Sequence, residues 1–243
     1  MVFDVYLVLG ACDLVLAFSR RFMRFLDFTW YFFDFDGTLV DSAGDIIDNL
    51  QRAYNTIPRF RAVNAASVKI GPPLGTMLKV LTPDVTESEI KTLTDEFMKM
   101  YLIKDFKKTV FYPGAEDLLK LLVSKGKKLG LVTNKPTRNL GFLFEKLGSF
   151  DLFSKVMTPD MHAGRKIDKF EMFKELIDGG VEPGQAVMIG DAGTDIKSAL
   201  AYGVKTIGIL EGYSSVDEIK EAKPDACVRD MRELLKCSGD IKL

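Results

Sequence analysis

Asp34 and Asp36 stand one residue apart near the end of an apolar run, Tyr31 to Asp41 reading YFFDFDGTLVD, with Gly37, Thr38 and a third carboxylate, Asp41, close behind. An unbroken aromatic run of this kind reads as a parallel strand buried on both faces, and open α/β sheets bind ligands beyond the carboxyl ends of their strands. Side chains alternate along a strand, so two Asp two apart point the same way. Gly37 permits a tight turn that brings backbone N–H groups toward an anion. Carboxylates gathered this closely repel one another, and a divalent cation is the usual reason to gather them. The chemistry expected is therefore that of an anion handled beside a metal ion.

Three further segments carry chemistry-bearing residues at strand ends. Leu129 to Lys135, LGLVTNK, is an apolar strand closing on Thr133 and Asn134. It follows YPGAEDLLKLLVSKGKKLG, which reads as a Pro-Gly turn, a helix with apolar residues at helical spacing and a Gly stop, so that helix and strand form one unit of a doubly wound sheet. Ala186 to Asp195, AVMIGDAGTD, gives another strand, a Gly and two Asp four apart, Asp191 and Asp195. Between these two segments GRKIDKFEMF sets lysines ahead of a helix expected over Phe170 to Ile177.

DFDGTLVD resembles the first motif, DxDGTxxD, of the haloacid dehalogenase superfamily, the Asp-nucleophile phosphohydrolases, and AVMIGDAGTD resembles that family's GDxxxD. The resemblance implies that Asp34 attacks phosphorus to give an aspartyl-phosphate, and that Asp36 protonates the leaving oxygen and then activates water. It implies Thr133 as the phosphate-binding hydroxyl with Asn134 beside it. It also implies Mg²⁺ held by Asp34, Asp191 and the backbone carbonyl of Asp36, with Thr38 and Asp195 orienting these groups from behind. Many relatives carry KPxP as their third motif, which this chain lacks. Counting back from Asp191 by the family's usual spacing lands on Lys166, with Lys169 the fallback, and the ammonium would neutralise the nucleophile and the transferring phosphoryl group.

The elements that must position these residues follow. The expected fold is α/β, a Rossmann-like doubly wound parallel sheet core with a small inserted α-helical cap domain. Between the first and second motifs lie about ninety residues, more than a simple βαβ crossover needs. Ala43 to Thr56 carries a helical stripe of Ile46, Ile47, Leu50, Ala53 and Tyr54. Thr86 to Tyr101 opens on a capping signature ahead of Glu89. An all-helical insert here resembles the small cap of the phosphoglycolate-phosphatase-like branch, whose closure would exclude water and choose the substrate. Within it, KIGPPLGTML from Lys69 to Leu78 resembles the loop that this branch presents to the catalytic pocket, making Lys69 a candidate to meet a substrate carboxylate and Arg52 a weaker one. The expected division is core over 23–44 and 111–243, cap over 45–110, and an N-terminal extension over 1–22. That extension is apolar but broken by Asp4 and Asp13, and its positive pair, Arg20 and Arg21, comes last. It fits neither a spanning helix, which needs about 20 apolar residues, nor a signal peptide.

Composition bounds the remaining choices. At 243 residues, 47% apolar and 28% charged, the chain reads as a soluble globular protein with one good core and a small second domain. A net charge of -1 without a basic stripe gives no nucleic-acid footprint, and no membrane partner is expected. Three cysteines without metal-type spacing favour a reducing, cytoplasmic setting, and the single histidine, His162, is an incidental loop residue. The reading is a magnesium-dependent phosphomonoesterase, monomer or homodimer, acting on a small phosphorylated metabolite in the manner of phosphoglycolate hydrolysis. Its rivals are a nucleotidase or pyrophosphatase of the same superfamily, a phosphomutase, which would want a His soon after the first motif, and a non-catalytic binding protein on the same scaffold.

Overall fold

The structure is a computed structural model that describes residues 15–16, 23–60, 62–102, 106–148 and 150–238. In chain order, β1 (Val15–Leu16) pairs antiparallel with β2 (Met23–Arg24). Then come β3 (Trp30–Phe33), β4 (Val40–Asp41), three helices α1 (Ala43–Tyr54), α2 (Leu74–Leu81) and α3 (Glu87–Leu102), and β5 (Val110–Phe111). Alternating units follow: α4 (Ala115–Ser124), β6 (Lys128–Val132), α5 (Thr137–Leu147), β7 (Phe153–Met157), α6 (Lys169–Asp178), β8 (Ala186–Gly190), α7 (Gly193–Leu200), β9 (Lys205–Ile209), α8 (Val216–Glu221), β10 (Ala226–Val228) and α9 (Met231–Ser238). Of the N-terminal extension expected over 1–22, all but Val15 and Leu16 of β1 lies outside the described residues.

Six strands form one sheet in the order β10-β9-β8-β3-β6-β7, and every pairing is parallel. The chain winds out from β3 through β6 and β7, then returns to run through β8, β9 and β10 on the other side. This is the expected doubly wound core. The aromatic run of β3 shows no polar alternation because both of its faces are covered. Tyr31 and Phe33 pack with Leu118, Leu122 and Met231 on one side, while Phe32 packs with Met172, Phe173 and Met188 on the other. The buried Tyr31 hydroxyl is satisfied by donating to the Phe25 carbonyl at 2.5 Å.

The helical insert leaves and rejoins the core through a short antiparallel ribbon in which Val40 faces Phe111 and Asp41 faces Val110. α1 and α3 match their expected spans to within two residues at each end, while α2 was not expected: it begins inside the KIGPPLGTML segment read as a loop. Thr86 and Glu89 make the reciprocal cap read in the sequence: the Thr86 hydroxyl accepts from the Glu89 amide, and the Glu89 carboxylate accepts from the Thr86 amide. The apolar stripes of the insert, Ile46, Leu50, Leu78, Leu93 and Phe97, join the same buried cluster as Phe33, Phe35 and Phe144. Among the described residues no helix is long and apolar enough to cross a membrane.

One strand position limits what the sheet tolerates. A Cβ on Gly130 of β6 would lie 2.3 Å from two ring carbons of Phe32 on the adjacent strand. We expect Gly130→Ala to destabilise the protein by about 1–3 kcal/mol through overpacking. Gly141→Ala, on α5 with open space around it, should instead stabilise by about 0.5–1 kcal/mol. Urea denaturation midpoints of the two variants check both signs, and a Gly130→Ala protein as stable as wild type would mean that β3 and β6 can part.

Candidate active site

Asp34 and Asp191 are the first residues beyond two adjacent parallel strands, β3 and β8, so the sheet register alone sets them side by side. The Asp34 amide stays in the ladder by donating to the Ile189 carbonyl at 3.0 Å. Asp195, at the third position of α7, turns back toward the strand ends and accepts from the Ala192 amide at 3.0 Å. Carboxylate oxygens of Asp34, Asp191 and Asp195 all lie within 4.8 Å of one another, and all three residues are buried. Gly37, at φ +89, lets the loop after Asp36 press against this group. A Cβ there would lie 2.3 Å from Asp191 Oδ2.

The ammonium in this cluster is that of Lys169. Its Nζ is 3.0 Å from Asp34 Oδ1 and also pairs with Asp195 Oδ1. Counting along the chain named Lys166 first and Lys169 as the fallback; it is Lys169 that lies in the carboxylate cluster, and Lys166 is exposed in the loop between β7 and α6. The cause is a capping box. The Asp168 carboxylate accepts from the Glu171 amide at 3.0 Å, and the Glu171 carboxylate accepts from the Asp168 amide at 3.2 Å. This fixes Lys169 as the first helical residue, and buried Ile167 anchors the backbone before it.

The other expected residues are distributed as follows. Thr38 donates its hydroxyl to Asp191 Oδ1 at 2.6 Å. Thr133 is buried beyond β6, its hydroxyl accepting from the Lys135 amide at 3.1 Å. The Asn134 side chain donates to the Gly71 carbonyl of the insert at 2.9 Å, so it joins the IGPPL loop to the catalytic strand ends. Lys69, two residues before that carbonyl, and Arg52 on α1 are both exposed. His162 pairs with Glu175 at the surface.

Two partners of Asp36 were missed. Lys135 Nζ sits 2.8 Å from both Asp36 carboxylate oxygens, and the Ser42 hydroxyl donates to Asp36 Oδ1 at 2.5 Å. Lys135 lies in the quoted VTNK segment, but its residue type does not say whether it turns to solvent or to Asp36. Gly212 and Tyr213, which back onto Asp191, belong to no motif. The signal for Lys169 was present: D-x-x-E ahead of an apolar run is a helix-start signature, and it outranks residue counting across a loop.

The charges do not balance. Asp36 has Lys135, whereas Asp34, Asp191 and Asp195 share the single ammonium of Lys169, leaving a buried excess of negative charge. Burial raises Asp34 from 3.8 to about 7 against the pull of Lys169. Burial, then the nearby Asp34 charge, raises Asp191 from 3.8 to about 6, and burial pushes Asp195 up as well. Burial alone would push Lys169 down, but Asp195 and Asp34 reverse this and hold the ammonium charged. Three oxygen donors with an unneutralised buried charge fit a hard divalent cation.

A family model described as haloacid dehalogenase-like hydrolase matches residues 31–209 of the chain. The chain is 30% identical over 212 residues to the phosphoglycolate phosphatase of Psychrobacter arcticus, covering 84% of this chain and 92% of that protein. It is 33% identical over 215 residues to the phosphoglycolate phosphatase of Pseudomonas syringae pv. tomato, covering 84% and 77%. The crystal structure described as a predicted phosphoglycolate phosphatase from Haemophilus somnus 129pt superposes with a TM-score of 0.76 at 25% identity, covering 88% of this chain and 99% of that one.

The raised carboxylates give the metal-free protein a signed pH dependence. A carboxyl with a higher pKa folded than unfolded binds more protons in the folded state, so stability falls as pH rises from about 4 to about 7 and levels off above. A divalent cation removes this penalty. Added Mg²⁺ should therefore raise the melting temperature of chelator-treated protein more at pH 8 than at pH 5, measured by thermal unfolding. An equal rise at both pH values would mean that the cation does not meet these carboxylates.

Proposed function

The chain belongs to the haloacid dehalogenase-like hydrolases and is a phosphatase of that family, and on this premise we propose a magnesium-dependent phosphomonoesterase that works through an aspartyl-phosphate. The observation that carries the reading is the Lys169 ammonium shared by Asp34 and Asp195, with Asp191 alongside. It offers a nucleophile, a cation to steady it and a donor set for a metal, all at the carboxyl ends of two neighbouring strands.

A carboxylate oxygen of Asp34 attacks phosphorus as the bond to the leaving oxygen breaks, and Asp36 gives that oxygen its proton. Water then attacks the phosphoryl group, Asp36 takes a proton from it, and inorganic phosphate leaves with Asp34 restored. Lys169 offsets charge on Asp34 and on the transferring group, while Thr133 donates its hydroxyl to phosphate and Asn134 stands beside it. Asp34, Asp191 and the Asp36 carbonyl would hold Mg²⁺, with Thr38 and Asp195 keeping the carboxylates oriented. When bound, the ion supplies charge neutralisation and Lewis acidity toward the phosphoryl oxygens.

The substrate is a small phosphorylated metabolite, with phosphoglycolate the leading candidate, supported by the relatives of that name at about a third identity. The helical insert over 45–110 acts as the cap, and Lys69 and Arg52 are its residues assigned to the substrate carboxylate. Every core residue named above is assigned to phosphate, metal or each other, which leaves the rest of the substrate to the cap.

Hydrolysis of phosphoglycolate and of a panel of phosphorylated metabolites with Mg²⁺ tests this reading. Asp34→Asn should fall below ~1% of wild-type turnover. Lys169→Ala should lower kcat/KM by ~10²–10³, the scale of one lost charge stabiliser, with Lys166→Ala nearly unchanged. An active Asp34→Asn protein would refute the covalent route.

Lys69 gives a separate check on the cap. Lys69→Ala should raise KM for phosphoglycolate, with little effect on p-nitrophenyl phosphate, which has no carboxylate. Equal losses on both substrates would assign Lys69 to the cap's structure rather than to recognition.

A further inference from the structure

Tyr213, between β9 and α8, touches two parts of the molecule that nothing else described joins so directly. Its backbone N–H donates to Asp191 Oδ2 at 2.7 Å. Its phenol oxygen accepts from the Ser42 amide at 2.7 Å and the Ala43 amide at 2.9 Å, and donates to Asp41 Oδ1 at 3.0 Å. Those two amides open α1, the first helix of the insert, directly after the ribbon that carries the chain out of the core.

The helix start explains why a distant phenol is needed. Ser42 occupies the cap position and is a residue type that usually caps with its own hydroxyl, yet it makes no such bond. Its hydroxyl is committed to Asp36. The Ser42 amide is left to Tyr213, and the Ala43 amide is shared between Tyr213 and Asp41 Oδ1 at 3.1 Å; the one hydroxyl of Tyr213 accepts twice and donates once. At the other end of the residue the fit is equally close. A Cβ on Gly212 would lie 2.1 Å from Asp191 Cβ, so the backbone of 212 and 213 is pressed against that carboxylate and cannot shift independently of it.

We propose that Tyr213 is a positioning residue that couples Asp191 to the first turn of α1, so that a divalent cation held by the carboxylate cluster also steadies the base of the helical insert. The inference rests on the reading of Asp191 as a metal-holding carboxylate. A cation that orders Asp191 gives the Tyr213 N–H a fixed acceptor. The order passes through a rigid ring to the Ser42 and Ala43 amides. Filling the site thus prepares the hinge of the cap before any substrate arrives.

Amide hydrogen exchange of the full chain, followed by NMR with and without Mg²⁺, tests the coupling without relying on activity. In wild type, Mg²⁺ should slow exchange at residue 213 and also at Ser42 and Ala43. In Tyr213→Phe, which keeps the backbone N–H and the ring, Mg²⁺ should still protect residue 213. Ser42 should exchange about tenfold faster, the scale of a lost cap, Ala43 by less because it keeps Asp41 as an acceptor, and neither should still respond to the ion. Protection of Ser42 and Ala43 by Mg²⁺ that survives in Tyr213→Phe would overturn the coupling, as would its absence in wild type while residue 213 responds. No response at residue 213 in wild type would overturn the metal reading of Asp191, and this inference with it.

Discussion

Three buried carboxylates around one ammonium make an arrangement that a folding chain would not reach without help. Asp34, Asp191 and Asp195 can be brought together only because two adjacent parallel strands end at the same level and a helix begins just beyond each of the neighbouring loops. The apolar sheet supplies the free energy, and the strand ends take on the electrostatic cost. Removing one carboxylate from so tight a group relieves repulsion, whereas removing Lys169 leaves the repulsion with no opposing charge. The local details serve the same end: Gly37 yields space to Asp191, Thr38 and the Tyr213 amide hold its two oxygens, and the Ala192 amide holds Asp195.

Much of this was legible in the chain. The YFF run of β3 identified itself as a strand covered on both faces because it lacks alternation, and the strand-ending Asp, Thr and Asp residues followed from where parallel sheets place their ligands. What could not be read were side-chain partners set by distant segments. Lys135 meets Asp36 from a different strand end, and Tyr213 meets Ser42 across 171 residues of separation. Neither has a period or a local signature. Lys169 is a different case, named only as the fallback to Lys166. Local physics, the reciprocal cap of Asp168 and Glu171, pointed to it, and a spacing rule borrowed from relatives pointed elsewhere.

The helical insert is bound to the core more intimately than a hinged lid drawn in outline would suggest. Leu50, Leu93 and Phe97 share one buried cluster with Phe35 and Phe144, and Asn134 reaches from the strand ends to the Gly71 carbonyl. Motion of such an insert has to be small, or has to exchange one set of apolar contacts for another, because exposing the whole interface would cost far more than a single substrate contact returns. The turn at 133–135 sits at the centre of this. Thr133 is buried, Asn134 reaches the Gly71 carbonyl of the insert and Lys135 reaches Asp36, so one short turn touches both the insert and the loop after β3.

Lys169 reaches the site from the first turn of a helix and not from the loop before it. Its aim is therefore set by the axis of α6 and by the buried Ile167, while the exposed stretch at 161–166 meets α6 only at the surface, through His162 with Glu175 and Arg165 with Glu171. For a protein engineer that stretch is a splice point, where a peptide tag or a reporter could be inserted close to Lys169 without disturbing the direction in which it points.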